Sequence, residues 1–187
     1  MRLSRFSYYS DFVLYPMAFV GLAGASLMGT SWTGRAEWLC ALSAGALLWT
    51  LMEYLLHRIA FHAFGCFVPM HSLHHGSPLA FIGTPTWLSM PVLAGIIWVP
   101  AWRCFGFSIA GGVTVGVMFG YWWYGVVHHV IHHHAHERSS AYFSDLRTWH
   151  MRHHYSPKGG NFGVTTGLWD YVFGTVIGAR HRSMVST

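Results

Sequence analysis

Long apolar runs alternate along this chain with shorter polar stretches, and the spacing of the two sets the first expectations. The apolar runs fall at roughly 12–29, 38–56, 88–102 and 105–127, and every histidine lies outside them. The fourth exceeds the ~20 residues that an α-helix needs to cross a bilayer, whereas the third is short for a span and carries Pro91 and Pro100. Together they predict two helical hairpins. Gly112, Gly116 and Gly120 recur at every fourth position of the last run, which puts small residues on one helix face and lets a neighbouring helix approach closely. The expected fold is all-α: an integral membrane protein of about four transmembrane helices with a cytoplasmic, histidine-rich helical cap, in one domain over residues 1–187.

Composition supports a membrane setting. With 53% apolar and 9% charged residues, too little polar surface is available to coat a soluble globule of this length. Ten Trp, thirteen Phe and nine Tyr suit a bilayer interface. Arg2 and Arg5 ahead of an apolar run, with Ala23-Gly24-Ala25 after it, have the outline of a secretory leader. Asp11 and the tyrosines before it do not fit one, so the first run is expected to stay in the protein. An even number of spans then puts the N-terminus, the 57–87 segment and the C-terminal tail on one side. That side carries Arg2, Arg5, Arg58, Arg138, Arg147, Arg152, Lys158, Arg180 and Arg182, against Arg35 and Arg103 opposite. The asymmetry places both termini and the histidines in the cytoplasm, and the expected membrane is a bacterial inner membrane. No basic run suggests a nucleic-acid partner. Cys40, Cys66 and Cys104 are an odd, scattered set without C-x-x-C spacing, which argues against a disulfide framework or thiolate site and makes them expected packing residues.

Fourteen of the fifteen histidines lie between His57 and His154. The segments "HSLHH" and "HMRHH" place His71, His74, His75 and His150, His153, His154 in the same His-x-x-His-His pattern, and His128 and His132 are one helical turn apart. Spacings of three and four put imidazoles on one helix face, where two can reach a common metal ion. His57 and His62 are five apart, a spacing that does not align them on an α-helix, so the helix is expected to bend or end between them. Each half of the chain thus offers an apolar hairpin, a His pair and a His-x-x-His-His. Ten nitrogen donors are too many for one ion and natural for two. His129, His133, His134, His136 and His181 have no recurring partner and are expected to be supporting or solvated residues.

Carboxylates are scarce near these motifs. Glu53, Glu137, Asp145 and Asp170 are too few for the four-Glu bundle of soluble di-iron proteins. All-imidazole ligation suits iron, zinc or copper and argues against magnesium or calcium. Glu53, four residues before His57, is placed either to accept that ring's second N–H or to sit on the helix surface. Asp170 is expected to hydrogen-bond within the terminal "NFGVTTGLWDYVFGT" segment, read as a tight turn and a membrane-facing cap, or to pair with a nearby basic residue, rather than to bind metal.

Residues 45–178 resemble the fatty acid hydroxylase/sterol desaturase superfamily of membrane di-metal oxygenases, and most of all its fatty acid 2-hydroxylase branch. The resemblance is carried by "WTLMEYLLHRIAFH", "HSLHHGSP", "GYWWYGVVHHVIHH", "WHMRHH" and "FGVTTGLWDYVFGT", in that order. It implies metal ligation by His57, His62, His71, His74, His75, His128, His132, His150, His153 and His154, the ten that spacing selects. The 2-hydroxylases often carry an acidic residue where this chain has Gly125, their link corresponding to 62–71 is longer, and no fused cytochrome b5 domain is expected here.

The resemblance implies an O2-dependent lipid hydroxylase with a di-iron centre at the cytoplasmic face, although zinc is an alternative occupant in purified protein. The implied substrate is a membrane lipid, hydroxylated at carbon 2 of a sphingolipid-like or free fatty acyl chain, with no side chain acting as nucleophile or general base. Electrons would come from a separate cytochrome b5-like protein or ferredoxin. Other readings stay open: a carotenoid hydroxylase or a sterol or lipid desaturase of the same superfamily, and a bis-His haem electron carrier. A zinc hydrolase would want H-E-x-x-H, which is absent.

Overall fold

The structure, a computed structural model, describes residues 1–134 and 140–178. Helix α1 spans Arg5–Leu27, and α2 spans Trp32–Leu55 and continues through a π-helical turn at Leu56–Phe61. After α3 (Val68–Gly76) come α4 (Thr86–Leu93), a second π-helical segment (Ala94–Trp98) and α5 (Val99–His133). Helices α6 (Ala141–Tyr155) and α7 (Leu168–Val172) follow. No strand forms among the described residues; the nearest to one is a lone antiparallel bridge between Arg2 and Ile82. Serines start the first two helices: Ser4 accepts from the Ser7 N–H and Ser31 from the Gly34 N–H, supplying two orphan amides with partners.

Arg5–Leu27, Trp32–Phe61 and Thr86–His133 are long and apolar enough to cross a membrane. The third run is not one rod. Leu93 and Val117 share a core cluster with Tyr15, Trp49 and Met118, yet a straight helix would hold Leu93 and Val117 about 36 Å apart. The chain reverses at Gly106, whose φ of 80° and ψ of 171° lie outside the helical region and in the half of the map that favours glycine. The two hairpins expected from the apolar pattern are therefore present, the second folded so tightly that its arms are continuous but for one residue.

The glycine stripe does what its spacing predicts. A Cβ on Gly116 would stand 2.1 Å from the Leu42 carbonyl oxygen, and one on Gly45, facing it from α2, would stand 2.1 Å from the Val113 carbonyl oxygen. Backbone against backbone is the closest approach two helices can make, and it docks α2 directly on α5, the two helices that carry four of the ten histidines. The outward faces are apolar instead: Phe6, Met17, Trp32 and Trp87 are all exposed. Cys40, Cys66 and Cys104 are free and exposed, so they are surface residues and not the packing residues expected.

One end of the bundle gathers the polar elements. The N-terminus is pinned there, with the Leu3 N–H donating to the Phe81 carbonyl at 2.8 Å. Arg2, Arg5, Arg58, Arg147, Arg152 and Lys158 belong to this end, while Arg35 and Arg103 flank the turns at the other. Arg138, Arg180 and Arg182 lie outside the described residues.

Candidate metal centre

Four elements deliver the histidines, and the first departs from its expected shape. Between His57 and His62 the helix neither bends away nor ends. It widens into the Leu56–Phe61 π turn, in which each N–H reaches back five residues, so residues five apart come onto one face. The rings of His57 and His62 accordingly stack with centroids 5.3 Å apart. Ordinary α-helical spacing suffices elsewhere, as for His128 and His132 at 4.6 Å.

The rings converge into two groups. Single ring nitrogens of His57, His62, His71, His75 and His153 all lie within 4.8 Å of one another, and those of His74, His128, His132 and His150 do the same. In the first group, Nε2 of His71 lies 3.1 Å from that of His57, 3.0 Å from that of His62 and 2.9 Å from that of His75. In the second, His74 and His128 approach to 3.0 Å, as do His132 and His150. His154 stands between the groups: its Nε2 lies 3.1 Å from that of His150, while its ring stacks on His75 at 4.2 Å. The partition does not follow the two halves of the sequence. His74 leaves its neighbours His71 and His75 for the second group, and His153 leaves His150 for the first. Helix α3 faces both groups, so residues three apart on it can serve different sites.

The rings on α3 and α6 favour the neutral form. Burial first, and then the neighbouring rings, lower the pKa of His71 to about 2, His74 to about 3 and His154 to about 2. Burial likewise brings His153 to about 4. The tautomer is fixed for two rings of the first group: the Nδ1–H of His57 donates to the Phe162 carbonyl, and that of His153 to the Gly160 carbonyl at 2.9 Å. Their Nε2 atoms must then carry lone pairs, and both aim them at other ring nitrogens. Lone pairs converging at about 3 Å repel unless a cation lies among them, so the donor set fits metal ions. Five rings closing on one point also leave no room for a porphyrin between axial ligands, which removes the haem reading.

Glu53 does not reach His57. It turns instead to the 162–165 loop, where its Oε1 accepts the Val164 and Thr165 N–H groups at 2.6 and 2.8 Å and its Oε2 accepts the Thr165 hydroxyl at 2.6 Å. Asp170 stays within the cap as expected, accepting from the Phe162 and Gly163 N–H groups, each at 2.8 Å. Asn161, in the left-handed region at φ 53°, ties the same loop to the Trp149 and Ile177 carbonyls. Sequence spacing had no means of finding Asn161 or the loop carbonyls, because their partners are distant in the chain. Of the remaining histidines, His129 bonds through Nδ1 to the Tyr8 hydroxyl at 3.1 Å and His133 stacks on Phe81, while the His134 ring lies 5.3 Å from that of His129. His136, Glu137 and His181 lie outside the described residues, and Asp145 is exposed on α6.

A cavity adjoins both groups through His57, His71, His74 and His128, and its walls are largely aromatic, from Phe12, Phe61, Tyr121, Trp122 and Tyr124. Asp11 also lines it and is held by the Tyr121 hydroxyl at 2.9 Å and the Thr86 hydroxyl.

This geometry agrees with what the chain is similar to. It is 32% identical over 150 residues to the dihydroceramide fatty acyl 2-hydroxylase FAH2 of Arabidopsis thaliana, covering 73% of this chain and 60% of that protein. Similarity extends to the ceramide very long chain fatty acid hydroxylase scs7 of Schizosaccharomyces pombe, at 33% identity over 70% of this chain and 40% of the relative. Human fatty acid 2-hydroxylase is 31% identical over 71% of this chain and 38% of its own length. The chain thus spans 38–60% of the length of these relatives. Among solved structures, full-length scs7p with only its hydroxylase domain visible superposes with a TM-score of 0.77 at 26% identity, over 92% of this chain and 67% of that one. The family model for fatty acid hydroxylases matches residues 42–175, which takes in both histidine groups and the loop that braces them, and the chain belongs to the fatty acid hydroxylase family.

Proposed function

We propose that this chain is a membrane-embedded, O2-dependent hydroxylase of lipid acyl chains, acting as one domain with a di-iron centre held by the ten histidines. The observation that carries the reading is the meeting of two all-imidazole groups with one aromatic-walled cavity. His57, His62, His71, His75 and His153 would hold one ion, and His74, His128, His132 and His150, with His154 beside them, the other. Iron bound by these residues would supply the redox chemistry for using O2 to hydroxylate an unactivated C–H bond. The protein's share is to bind, orient and exclude solvent. His57, His74 and His150 are buried, and the aromatic walls favour a hydrocarbon segment over water. No side chain is required as a general base, because the hydrogen of the C–H bond ends in the new hydroxyl, while the second oxygen takes up two donor electrons and two protons and leaves as water. Zinc would fit the same donors and is the alternative occupant in purified protein.

The names of the relatives point to carbon 2 of an amide-linked or free fatty acyl chain. A site at one polar end of the bundle fits that position, since carbons near a head group reach it before the chain end does. The basic residues gathered at this end support a cytoplasmic orientation of the site and both termini, in a bacterial inner membrane. Two electrons per turnover would come from a separate cytochrome b5-like protein or ferredoxin. The test is lipid analysis of cells with and without the gene, grown under isotopically labelled O2. Acyl lipids should gain one labelled oxygen at carbon 2. A product two hydrogens lighter would mark a desaturase instead, and oxygenated carotenoids with unchanged acyl lipids would mark a carotenoid hydroxylase.

A further inference from the structure

Two carboxylates are buried beside the first histidine group, and neither points a free oxygen at it. Glu53 is 4% exposed and Asp170 fully buried. Between them they accept four consecutive backbone N–H groups, those of Phe162, Gly163, Val164 and Thr165. Burying a carboxylate is costly, and a loop of this size could be satisfied by neutral groups. The reason for using charge lies on the other side of the loop. The Gly163 N–H that donates to Asp170 Oδ2 and the Phe162 carbonyl that accepts from His57 Nδ1 belong to the same peptide group. A peptide whose N–H is bound to an anion is polarised, so its carbonyl oxygen becomes a stronger acceptor. Asp170, the 162–163 peptide and the His57 ring therefore form a line of charge-assisted hydrogen bonds ending at Nε2, where a metal would sit.

The second anchor is less direct. Gly160, whose carbonyl accepts from His153, belongs to the peptide whose Asn161 N–H donates to the Thr175 carbonyl at 3.0 Å. The Thr175 hydroxyl in turn donates to Asp170 Oδ1 at 2.7 Å. Both anchored rings are in the first group; among the described residues this loop makes no hydrogen bond to a ring nitrogen of His74, His128, His132 or His150.

We infer that Asp170, with Glu53 holding the adjoining amides, is a positioning residue for one metal site alone: through the 162–163 peptide it fixes the tautomer and raises the donor strength of His57, and so sets the affinity of the His57, His62, His71, His75 and His153 group. A carboxylate bonded directly to a ligating imidazole has this effect, and here one peptide group is interposed. The inference rests on the metal-binding reading above.

The experiment is a metal titration of the full-length protein in detergent, stripped with a chelator and refilled with Co2+, followed by its visible absorption. Wild type should take up two ions; uptake of none would overturn the metal-binding reading and this inference with it. Asp170→Asn should still fill both sites at high metal, with one affinity lowered about 10–100-fold and the other unchanged. In a His132→Ala background the remaining site should show that weakening, and in a His62→Ala background it should not. Equal weakening of both sites, or a loss of thermal stability in the metal-free protein with no change in either affinity, would overturn the inference while leaving two-metal binding intact. Should Asp170→Asn not fold, wild type gives the same reading by hydrogen exchange. Metal should protect the 160–165 backbone, an effect kept in His132→Ala and lost in His62→Ala; protection that survives in His62→Ala would refute the coupling.

Discussion

The two histidine groups are built from one kind of side chain, yet they are held in different ways. In the first, His57 and His153 are anchored through Nδ1 to backbone carbonyls of a loop that two buried carboxylates clamp from behind. In the second, the Nδ1 atoms of His150 and His154 are buried with no hydrogen-bond partner among the described residues. An anchored ring has its tautomer chosen before metal arrives, whereas an unanchored one settles only on binding. The first group is thus preorganised and the second adaptable. That division would let two bound ions play unequal parts, and the most direct way to probe it is to remove rings one at a time.

The largest effect is expected where a ring has crossed between groups. His153→Ala should empty the first site and His74→Ala the second, each halving the metal bound per chain and abolishing lipid hydroxylation. His181→Ala should do neither. Elemental analysis of purified variants checks this. Were the sites to follow the sequence halves, pairing His153→Ala with His128→Ala would leave one site full; with the groups as found, that pair should empty both.

Next comes the clamp itself. Glu53→Ala leaves the Val164 and Thr165 amides and the Thr165 hydroxyl without an acceptor, at about 1–3 kcal/mol for each buried donor. Thermal denaturation should fall accordingly, and metal should leave the first site before the second. Gly116→Ala provides the contrast. Its new methyl would meet the Leu42 carbonyl at 2.1 Å and push α5 from α2, with overpacking of this kind costing about 1–3 kcal/mol. Because α2 brings rings to the first group and α5 to the second, both affinities should fall together. A Gly116→Ala protein with one site intact would show that the groups are not registered by this helix contact.

How much of this was legible beforehand follows from where each constraint lives. Eight of the ten candidate rings fall at spacings of three or four, which put them on one face of an α-helix and make them legible from the sequence. The glycine stripe and the second hairpin were legible for the same local reason. The π turn was not: five-residue spacing in an α-helix reads as divergence, and only the widened turn reverses that. The exchange of His74 and His153 depends on α3 lying between the groups, a tertiary fact with no local signature. For Glu53 local spacing offered a ring four residues away or the helix surface, while its partner Val164 is 111 positions distant and identifiable only once the loop is in place. Local periodicity fixes which side chains share a face; it is silent on what that face will meet.

The smallest loss among the ten rings is expected at His154, and it bears most closely on how adaptable the second group is. Spacing gave it equal rank, a fifth imidazole in its half of the chain. The structure sets it apart, since four other rings converge on the second site without it and its own ring lies flat against His75 of the first group. Among the described residues, its Nε2 comes within hydrogen-bond distance of that of His150, at 3.1 Å. His154 is not among the rings that converge on either site, so His154→Ala should leave the second ion bound with its affinity lowered by about 10–100-fold, the range for a supporting partner. Hydroxylation should fall but persist at saturating metal. Metal titration of His154→Ala beside His132→Ala makes the comparison direct: if both lose the second ion outright, His154 is a full ligand and the second group has five donors like the first.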